Sequence, residues 1–302
     1  MRGFADARNP TDAVPAPMPG PRLLPRLNGA GRWLPAGLGF VLPLLALMFV
    51  AFNLPMLGML GRSVALPDFS FAHYAELIQS DIYVKVILST VQIALIATLV
   101  CALLGYPLAY WMRGLSPGAQ LAALAMIVIP FWVSVLIRTY AWIILLGNAG
   151  ILNGTLRMLG LVDEPVLFLY NRVGVTIGIV NVLLPFLVLP LFASMVRLDE
   201  RLLQAARSLG ASEATAFWRV FFPLTVPALA AGSLLVFIMT LGFYVTPMIL
   251  GGGRVPMLVN MLDLLVNGMP DWNLAAAISV FLLAVTLVLY ALSRRLTGRA
   301  TG

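Results

Sequence analysis

The sequence has only one cysteine and one histidine among its 302 residues. Cys101 lies in a long apolar run, and a lone cysteine cannot build a disulfide framework or a cysteine-rich metal site within the chain. His73 alone cannot supply the two histidines that a zinc site of the HExxH type needs. We therefore predict neither metal ligands nor a catalytic residue in this chain.

Charge is also scarce. Only 10% of the residues are charged and 61% are hydrophobic, whereas a typical soluble domain has about 25% charged residues. The apolar runs are long and continuous, which favours helices over the alternating strands of a barrel. The sequence therefore predicts an all-α integral membrane protein in contact with a lipid bilayer. The net charge of +7 does not indicate nucleic-acid binding, because the arginines gather in loops and form no stripe with stacking aromatic residues.

Six apolar runs are each about 20 residues long or longer, which is the length that a helix needs to span a bilayer. We predict spans at about residues 34–60, 83–111, 121–146, 173–196, 224–250 and 274–292. Residues 1–33 are rich in proline and arginine and show no apolar periodicity, which indicates a disordered tail. The predicted organisation is a tail, 1–33, a six-helix transmembrane domain, 34–295, and a short C-terminal tail, 296–302.

The 19 basic residues are distributed unequally across this topology. Thirteen lie on the side of the N-terminus, and six lie on the other side or in the outer half of the spans. Because cytoplasmic loops carry the excess of arginine and lysine, we predict that both termini and both tails lie in the cytoplasm.

One loop, residues 197–223, carries a helical pattern of its own between the fourth and fifth spans. Its apolar residues recur at three- and four-residue spacing and predict one face of a helix: Leu198, Leu202, Ala205, Ala206 and Leu209. We expect Gly210 to end that helix, because glycine adopts the left-handed conformation without steric cost. Ser212 should cap a second short helix, with Glu213 near its positive end. An amphipathic helix resting on the membrane surface is the alternative.

This loop resembles the cytoplasmic loop of ABC importer permeases. The family pattern is Glu-Ala-Ala, three residues, Gly, nine residues, Ile, any residue and Leu-Pro, and here it reads Gln204-Ala205-Ala206, Gly210, Val220 and Phe222-Pro223. The spacing matches throughout, although Gln204 replaces a glutamate and so removes a charge. The resemblance implies that this loop couples the chain to an ATPase through Gln204, Ala205, Ala206, Gly210, Ser212 and Glu213.

Five further stretches resemble permeases of the spermidine/putrescine type. They are LGYPLAYWM from Leu104, PFWVSVLIRTYAWIILLGNAGILN from Pro130, LGLVDEP from Leu159, LLPFLVLPLFASM from Leu183 and GFYVTPMILGGGR from Gly242. The resemblance implies the type I ABC importer permease fold, with six transmembrane helices and a cytoplasmic coupling-helix loop. It also implies a second permease subunit, expected to be a different homologous chain, a cytoplasmic ATPase dimer, a periplasmic substrate-binding protein and a place in the bacterial inner membrane.

The sequence reveals no ATP-binding site in this chain. The glycines at 251–253 are not followed by the Lys and Ser/Thr of a phosphate-binding loop. We therefore expect no cofactor in this chain and expect ATP and Mg²⁺ to be bound by the partner ATPase, with transport by alternating access.

Polar and aromatic side chains within or next to the spans are candidates for the substrate pathway, because polar groups in a membrane usually face a protein interior or water. They are Gln92, Trp132, Arg138, Tyr140, Trp142, Asn181, Tyr244 and Asp263. In a continuous third span, Ser134, Arg138 and Trp142 would share one face, and Trp132 and Tyr140 another. Arg138 could instead extend its charge to the membrane surface.

The family resemblance makes a polyamine, putrescine or spermidine, the expected substrate. A polyamine calls for acidic and aromatic groups, and Arg138 opposes a cationic substrate unless an acid neutralises it or it points elsewhere. The same architecture importing an opine, an amino-acid-like solute, a phosphonate or ferric iron remains an alternative. A secondary carrier without an ATPase is less favoured, because every Asp and Glu lies in loops or near span ends. An intramembrane enzyme is disfavoured by the absence of a nucleophile–base pair.

Overall fold

The computed structural model describes residues 38–65 and 68–298, with side chains for residues 41–65 and 68–291. The predicted tail at 1–33 and the end of the predicted C-terminal tail, 299–302, lie outside the described residues. The chain divides into two compact units, residues 1–53 and 54–302. The described part of the first unit consists of α1, Leu38–Met48, and a π-helical segment, Phe49–Asn53.

The described part of the second unit consists of α-helices joined by turns and by longer irregular segments such as residues 159–171. In chain order they are α2 Leu54–Ser63, α3 Ala72–Gln79, α4 Asp81–Arg113, α5 Pro117–Val128, α6 Val135–Leu146, α7 Ile151–Met158, α8 Arg172–Val196, α9 Glu200–Ser208, α10 Glu213–Ala216, α11 Phe222–Leu241, α12 Val245–Gly251, α13 Leu258–Asp263 and α14 Trp272–Gly298. A 3₁₀ turn, Ile129–Trp132, follows α5, and π-helical segments, Phe217–Phe221 and Leu264–Gly268, precede α11 and follow α13.

Six helical stretches of the described residues are long and apolar enough to cross a membrane, which is the number that the sequence predicts. They are Val41–Ser63, Asp81–Arg113, Val135–Met158, Arg172–Val196, Glu213–Leu241 and Trp272–Ala291. The second, fourth and sixth predicted spans correspond to the uninterrupted helices α4, α8 and α14. Helix α8 remains continuous although Pro185 and Pro190 lie inside it.

The predicted third span, 121–146, is wrong as a continuous helix. Helix α5 ends at Val128, a 3₁₀ turn follows, and Val133 and Ser134 are extended, with ψ angles of 130° and 138°. Pro130 explains the break, because proline has no N–H to donate and its ring collides with the preceding helical turn. Trp132 therefore does not lie on the same helix face as Tyr140, and Ser134 is the residue that precedes α6 rather than part of its face.

The predicted fifth span, 224–250, is also interrupted. Helix α11 ends at Leu241, and α12 begins at Val245 after three non-helical residues that include Gly242. Pro247 lies in the first turn of α12, where its missing N–H removes no helical hydrogen bond. The two interrupted spans meet, because Thr139 Oγ1 of α6 lies 3.4 Å from Thr246 Oγ1 of α12.

The core is formed by α4, α8 and α11, which pack closely through small residues. A Cβ added at Gly105 of α4 would lie 2.6 Å from Leu187 Cδ2 of α8, and one added at Gly232 of α11 would lie 3.4 Å from Leu187 Cα. Leu187 is completely buried between them. Such small-residue contacts let helices approach closely where no hydrophobic effect drives them together.

A second apolar cluster connects α3, α4, α13 and α14, with Leu77, Val86, Leu258, Leu274 and Ile278 buried in it. Thr90 of α4 fixes the start of α13, because its hydroxyl accepts a hydrogen bond from the Leu258 N–H at 2.9 Å and donates to the Val86 carbonyl at 2.8 Å. The segment between the last two spans is therefore held against the core.

Candidate functional site

The loop at 197–223 contains two short helices joined by a tight turn. Asp199 caps α9, where its carboxylate accepts a hydrogen bond from the Arg201 N–H. Gly210 has φ +85°, in the left-handed region, and its N–H and that of Ala211 bond to carbonyls in the last turn of α9. Ser212 caps α10, because its hydroxyl accepts a hydrogen bond from the Thr215 N–H. The local geometry therefore has the form of the helix-turn-helix that the pattern indicates.

The face that α9 packs against the core is not the apolar face that the sequence predicts. Leu203 and Leu198 pack against the core, whereas Leu202 is 48% exposed and Leu209 is 90% exposed. Of the predicted coupling residues, Ala206 is half-buried, and the exposed ones are Gln204, Ala205, Gly210, Ser212 and Glu213. An exposed surface with small side chains and a protruding leucine is suited to contact another protein. The coupling role of these residues stays a prediction.

Two ion pairs hold this loop. Arg113 at the end of α4 places Nη2 3.4 Å from Glu200 Oε1, and Arg207 Nε lies 2.7 Å from Glu213 Oε1. The Arg113 guanidinium also lies 4.8 Å from the centroid of the Phe221 ring, which is buried. The groups surround a small polar cavity of about 130 Å³. Arg113 thus contacts both α9 and the π-helical segment that leads into α11.

The predicted pathway residues do not converge on one site. Tyr244 and Asp263 line a cavity of about 610 Å³ together with Arg62 and Trp272. Asp263 accepts a hydrogen bond from Asn267 at 2.8 Å. The Arg62 guanidinium lies 5.7 Å from the centroid of the Trp272 ring. This cavity therefore combines the Asp263 carboxylate and two aromatic rings with the Arg62 guanidinium, which already lies over the Trp272 ring.

A second group lies in a cavity of about 570 Å³ between α4, α6 and α8. Trp142 and Asn181 line it together with Arg172. The Arg172 guanidinium donates a hydrogen bond to Gln92 Oε1 at 2.9 Å, so Gln92 lies beside a residue that lines this cavity. The walls are otherwise mostly apolar.

The remaining candidates lie near the break between α5 and α6. Trp132 lines a small apolar cavity with Phe131 and Phe186 and is 82% exposed. Tyr140 is 59% exposed on α6. Arg138 lies one turn into α6, with its guanidinium 5.9 Å from the centroid of the Phe131 ring.

Sequence reasoning did not select four residues that the structure places in these sites: Arg62, Arg113, Arg172 and Trp272. Each lies at or close to the end of a predicted span, where basic and aromatic residues are common at the membrane surface. The sequence therefore offered no signal that separates them from ordinary interface residues.

Three basic side chains surround a further concavity beside α4 and α8. Lys85, Arg172 and Arg254 are exposed there, and Tyr170 and Asn171 line the same concavity. No carboxylate of the described residues lies within 4.0 Å of the three cations. This surface is suited to an acidic partner.

No family model matches the chain. Comparison with individual known proteins, however, finds relatives that carry the same description. The chain is 36% identical over 257 residues to the spermidine/putrescine transport system permease protein PotB of Salmonella typhimurium strain SL1344, covering 82% of this chain and 89% of that protein. It is 37% identical over 240 residues to PotB of Escherichia coli K12, covering 77% and 87%.

A solved structure shows the same fold. A chain of a bacterial alginate ABC transporter, crystallised in complex with an alginate pentasaccharide-bound periplasmic protein, superposes with a TM-score of 0.72 at 19% identity. The match covers 87% of this chain and 94% of that chain.

Proposed function

Because the chain belongs to the PotB family of ABC transporter permeases, we propose that it is the transmembrane permease subunit of an ATP-driven importer of polyamines, putrescine or spermidine. The observation that carries this proposal is the identity of 36% over most of both chains with a protein named as a spermidine/putrescine permease. The cavity that contains Asp263 and Tyr244 supports it through the acid, which attracts an organic cation, whereas the Trp272 ring there already faces the Arg62 guanidinium.

The proposed assembly contains several chains. ATP and Mg²⁺ are bound by a cytoplasmic ATPase dimer, and this chain contributes no cofactor site. A second permease subunit, a different homologous chain, completes the pathway, and a periplasmic binding protein delivers the substrate. The exposed cations Lys85, Arg172 and Arg254 suit an acidic face of that binding protein. Both termini lie in the cytoplasm of the bacterial cell, by the distribution of basic residues.

The proposed coupling uses α9. Its exposed residues Gln204 and Ala205 contact a groove of the ATPase, and closure of the ATPase dimer moves α9. Arg113 and the buried Phe221 connect α9 to α4 and α11, so the movement reaches two of the three core helices. Alternating access then follows from two packings of these helices, which are favoured in turn by the two ATPase states.

The test is purification of the tagged chain in mild detergent with its partners, followed by an ATPase assay with the binding protein and a panel of solutes. We expect an ATPase to copurify and putrescine or spermidine to raise its rate. Stimulation by a different solute alone would retain the importer and refute the polyamine. Absence of any copurifying ATPase would refute the coupling role of the 197–223 loop.

A further inference from the structure

An apolar groove lies along the contact between α4 and α8. It is the cavity of about 570 Å³ that Trp142 and Asn181 line, and Arg172 lies at one end of it. Its aliphatic side chains recur at about every fourth residue of the two helices. They are Ile96, Val100 and Leu104 on α4, and Val173, Ile177, Val180 and Leu184 on α8. Ile96, Leu104 and Val173 are 45%, 51% and 53% exposed, so the groove is open along its side.

The groove is about as long as one leaflet of a bilayer is thick. Leu104 follows Gln92 on α4 by as many residues as Leu184 follows Arg172 on α8, which corresponds to about 18 Å at 1.5 Å per residue. Half of a hydrocarbon core about 30 Å thick is about 15 Å. The length therefore suits an acyl chain of one leaflet.

The far end of the groove is closed by the contact between the two helices. A Cβ added at Gly105 of α4 would lie 2.6 Å from Leu187 Cδ2 and 3.2 Å from Val188 Cγ2 of α8. Both of these α8 residues are completely buried. A helix of another chain that crossed the whole membrane would not follow a groove that ends there, whereas the end of an acyl chain fits.

The near end of the groove is cationic. The Arg172 guanidinium donates a hydrogen bond from Nη1 to Gln92 Oε1, which holds it beside the opening of the groove. Arg172 also lines the concavity that contains Lys85 and Arg254. Among the described residues, no Asp or Glu lines either the groove or the concavity. An anion supplied by a ligand is therefore the complement of this end, and a cationic substrate is not.

We propose that the groove binds an anionic phospholipid, whose acyl chain lies between α4 and α8 and whose phosphate accepts hydrogen bonds from the Arg172 guanidinium. The planar guanidinium matches the geometry of a phosphate, and basic pockets between transmembrane helices are suited to anionic lipid headgroups. Gln92 is a positioning residue, because it holds the guanidinium in place. The inference goes beyond the proposed function and does not depend on the identity of the transported solute.

This assignment changes the role of three residues that the sequence indicates as pathway candidates. Gln92, Trp142 and Asn181 surround a lipid site instead of the path of a cation. Lys85 lines the concavity but not the groove, and the same is true of Arg254. These two cations remain available to the proposed binding protein.

The test uses Trp142 as a reporter inside the groove. Brominated acyl chains quench the fluorescence of a tryptophan that they contact. The full complex is placed in phosphatidylcholine bilayers that contain increasing fractions of brominated phosphatidylglycerol or brominated phosphatidylcholine. The Trp142 signal is the difference between this complex and the same complex with Trp142→Phe. We expect phosphatidylglycerol to reach half-maximal quenching at about a tenfold lower fraction. Equal fractions for the two lipids would overturn the inference.

Variants of Arg172 test the headgroup contact. We expect Arg172→Gln to raise the half-quenching fraction of phosphatidylglycerol about tenfold, to the value for phosphatidylcholine, because the charge-assisted hydrogen bonds are lost. Arg157→Gln removes an exposed arginine of α7 and should leave the preference unchanged. A preference for phosphatidylglycerol that persists in Arg172→Gln would refute the assignment of the phosphate to Arg172.

A second pair of variants tests the acyl-chain contact without altering charge. Ile96→Phe fills part of the groove, whereas Leu103→Phe changes a 70% exposed residue of α4 that does not line it. Phosphatidylglycerol retained by the purified complex is counted by native mass spectrometry. We expect Ile96→Phe to lower the retained amount severalfold and Leu103→Phe to leave it unchanged. Equal retention by the two variants would exclude the groove as the acyl-chain site.

The purified chain without its partners distinguishes lipid from a covering protein. Quenching of Trp142 in both the full complex and the chain alone is the expected result. Quenching in the chain alone, and none in the full complex, would show that another subunit covers the groove and would overturn the inference. Polyamine transport enters none of these measurements, so failure of the proposed substrate leaves their outcome unchanged.

Discussion

Arg113 at the end of α4 contacts Glu200 at the start of α9, with 3.4 Å between Nη2 and Oε1. The arginine is mostly buried, with 15% of its side chain exposed, whereas the glutamate side chain is 76% exposed. Residue 113 thus reaches across 87 positions of sequence to hold the helix that the family resemblance assigns to ATPase coupling. The pair connects a core helix directly to the surface that we propose contacts the ATPase.

Glu200→Gln tests that connection with a minimal change. Exposed ion pairs contribute only about 0–1 kcal/mol to stability, so we expect normal amounts of protein in the membrane. We expect polyamine uptake to fall severalfold relative to ATPase activity, because α9 is no longer held to α4. Uptake and ATP hydrolysis are measured on the same proteoliposomes.

The control for Glu200→Gln is Arg201→Gln, an exposed residue of the same helix. It should keep the normal ratio of uptake to ATP hydrolysis. A reversed pair, Arg113→Glu with Glu200→Arg, should recover part of the lost uptake. An unaltered ratio in Glu200→Gln would show that the contact plays no part in coupling.

Two substitutions of Gly210 can separate the effect of backbone conformation from the effect of charge in the turn after α9. At φ +85°, most side chains are disfavoured by roughly 1–2 kcal/mol, while asparagine and aspartate tolerate the left-handed region. A Cβ at this position meets no atom within 4 Å. We expect Gly210→Asn to retain most uptake and Gly210→Asp to abolish it while remaining in the membrane, because the two share shape and differ in charge. Equal uptake by both variants would contradict a role for this turn in contacting the ATPase.

Thr90→Val should destabilise the protein. The change removes two buried hydrogen bonds and leaves the Leu258 N–H without its acceptor, at a cost of roughly 1–3 kcal/mol. Thr98→Val is the matched control on the same helix, because the Thr98 hydroxyl is buried without a hydrogen-bond partner. We expect a lower melting temperature for Thr90→Val and an equal or higher one for Thr98→Val, as measured by fluorescence-detected size-exclusion chromatography after heating. The reverse order would refute the anchoring of α13.

Asp263→Asn should weaken polyamine uptake. Asp263 is the carboxylate among the residues that line the cavity beside Tyr244 and Trp272, and the amide cannot attract a cation as strongly. We expect the half-saturating putrescine concentration to rise about tenfold, the effect of losing about 1.4 kcal/mol of binding. Asp163→Asn, at an exposed position, should leave it unchanged. Unimpaired uptake by Asp263→Asn would exclude this cavity from the pathway.

Much of the fold was predictable because membrane spans leave a simple signal. The apolar runs gave the six spans, and α4, α8 and α14 match their predicted limits within a few residues, apart from the longer C-terminal end of α14. Gly210 and Ser212 marked the turn and the cap in the loop at 197–223, since these residue types have strong positional preferences. The breaks in the third and fifth spans were missed, although Pro130 lies in the first of them and Pro247 lies just after the second. A proline in a span does not by itself show that the helix is broken, because α8 is continuous although it contains Pro185 and Pro190.

The candidate pathway was predictable only as a set of residue types. Polar and aromatic side chains in spans are costly and rare, so their positions stand out in the sequence. These residues lie in three separate places because of the way in which the helices pack together. The residue pattern of an individual span contains no information about that packing.

The sequence by itself determined the class of protein, the number of spans, the helical loop at 197–223 and the resemblance to ABC importer permeases. These properties follow from composition and from short-range spacing, and both can be read along the chain. The tertiary structure alone decided that Arg113 contacts Glu200, that Arg172 donates a hydrogen bond to Gln92, and that the Arg138 guanidinium lies over Phe131 beside a helix break. Those relationships join residues that are distant in sequence or depend on side-chain direction, and the packing of α4, α8 and α11 brings them about.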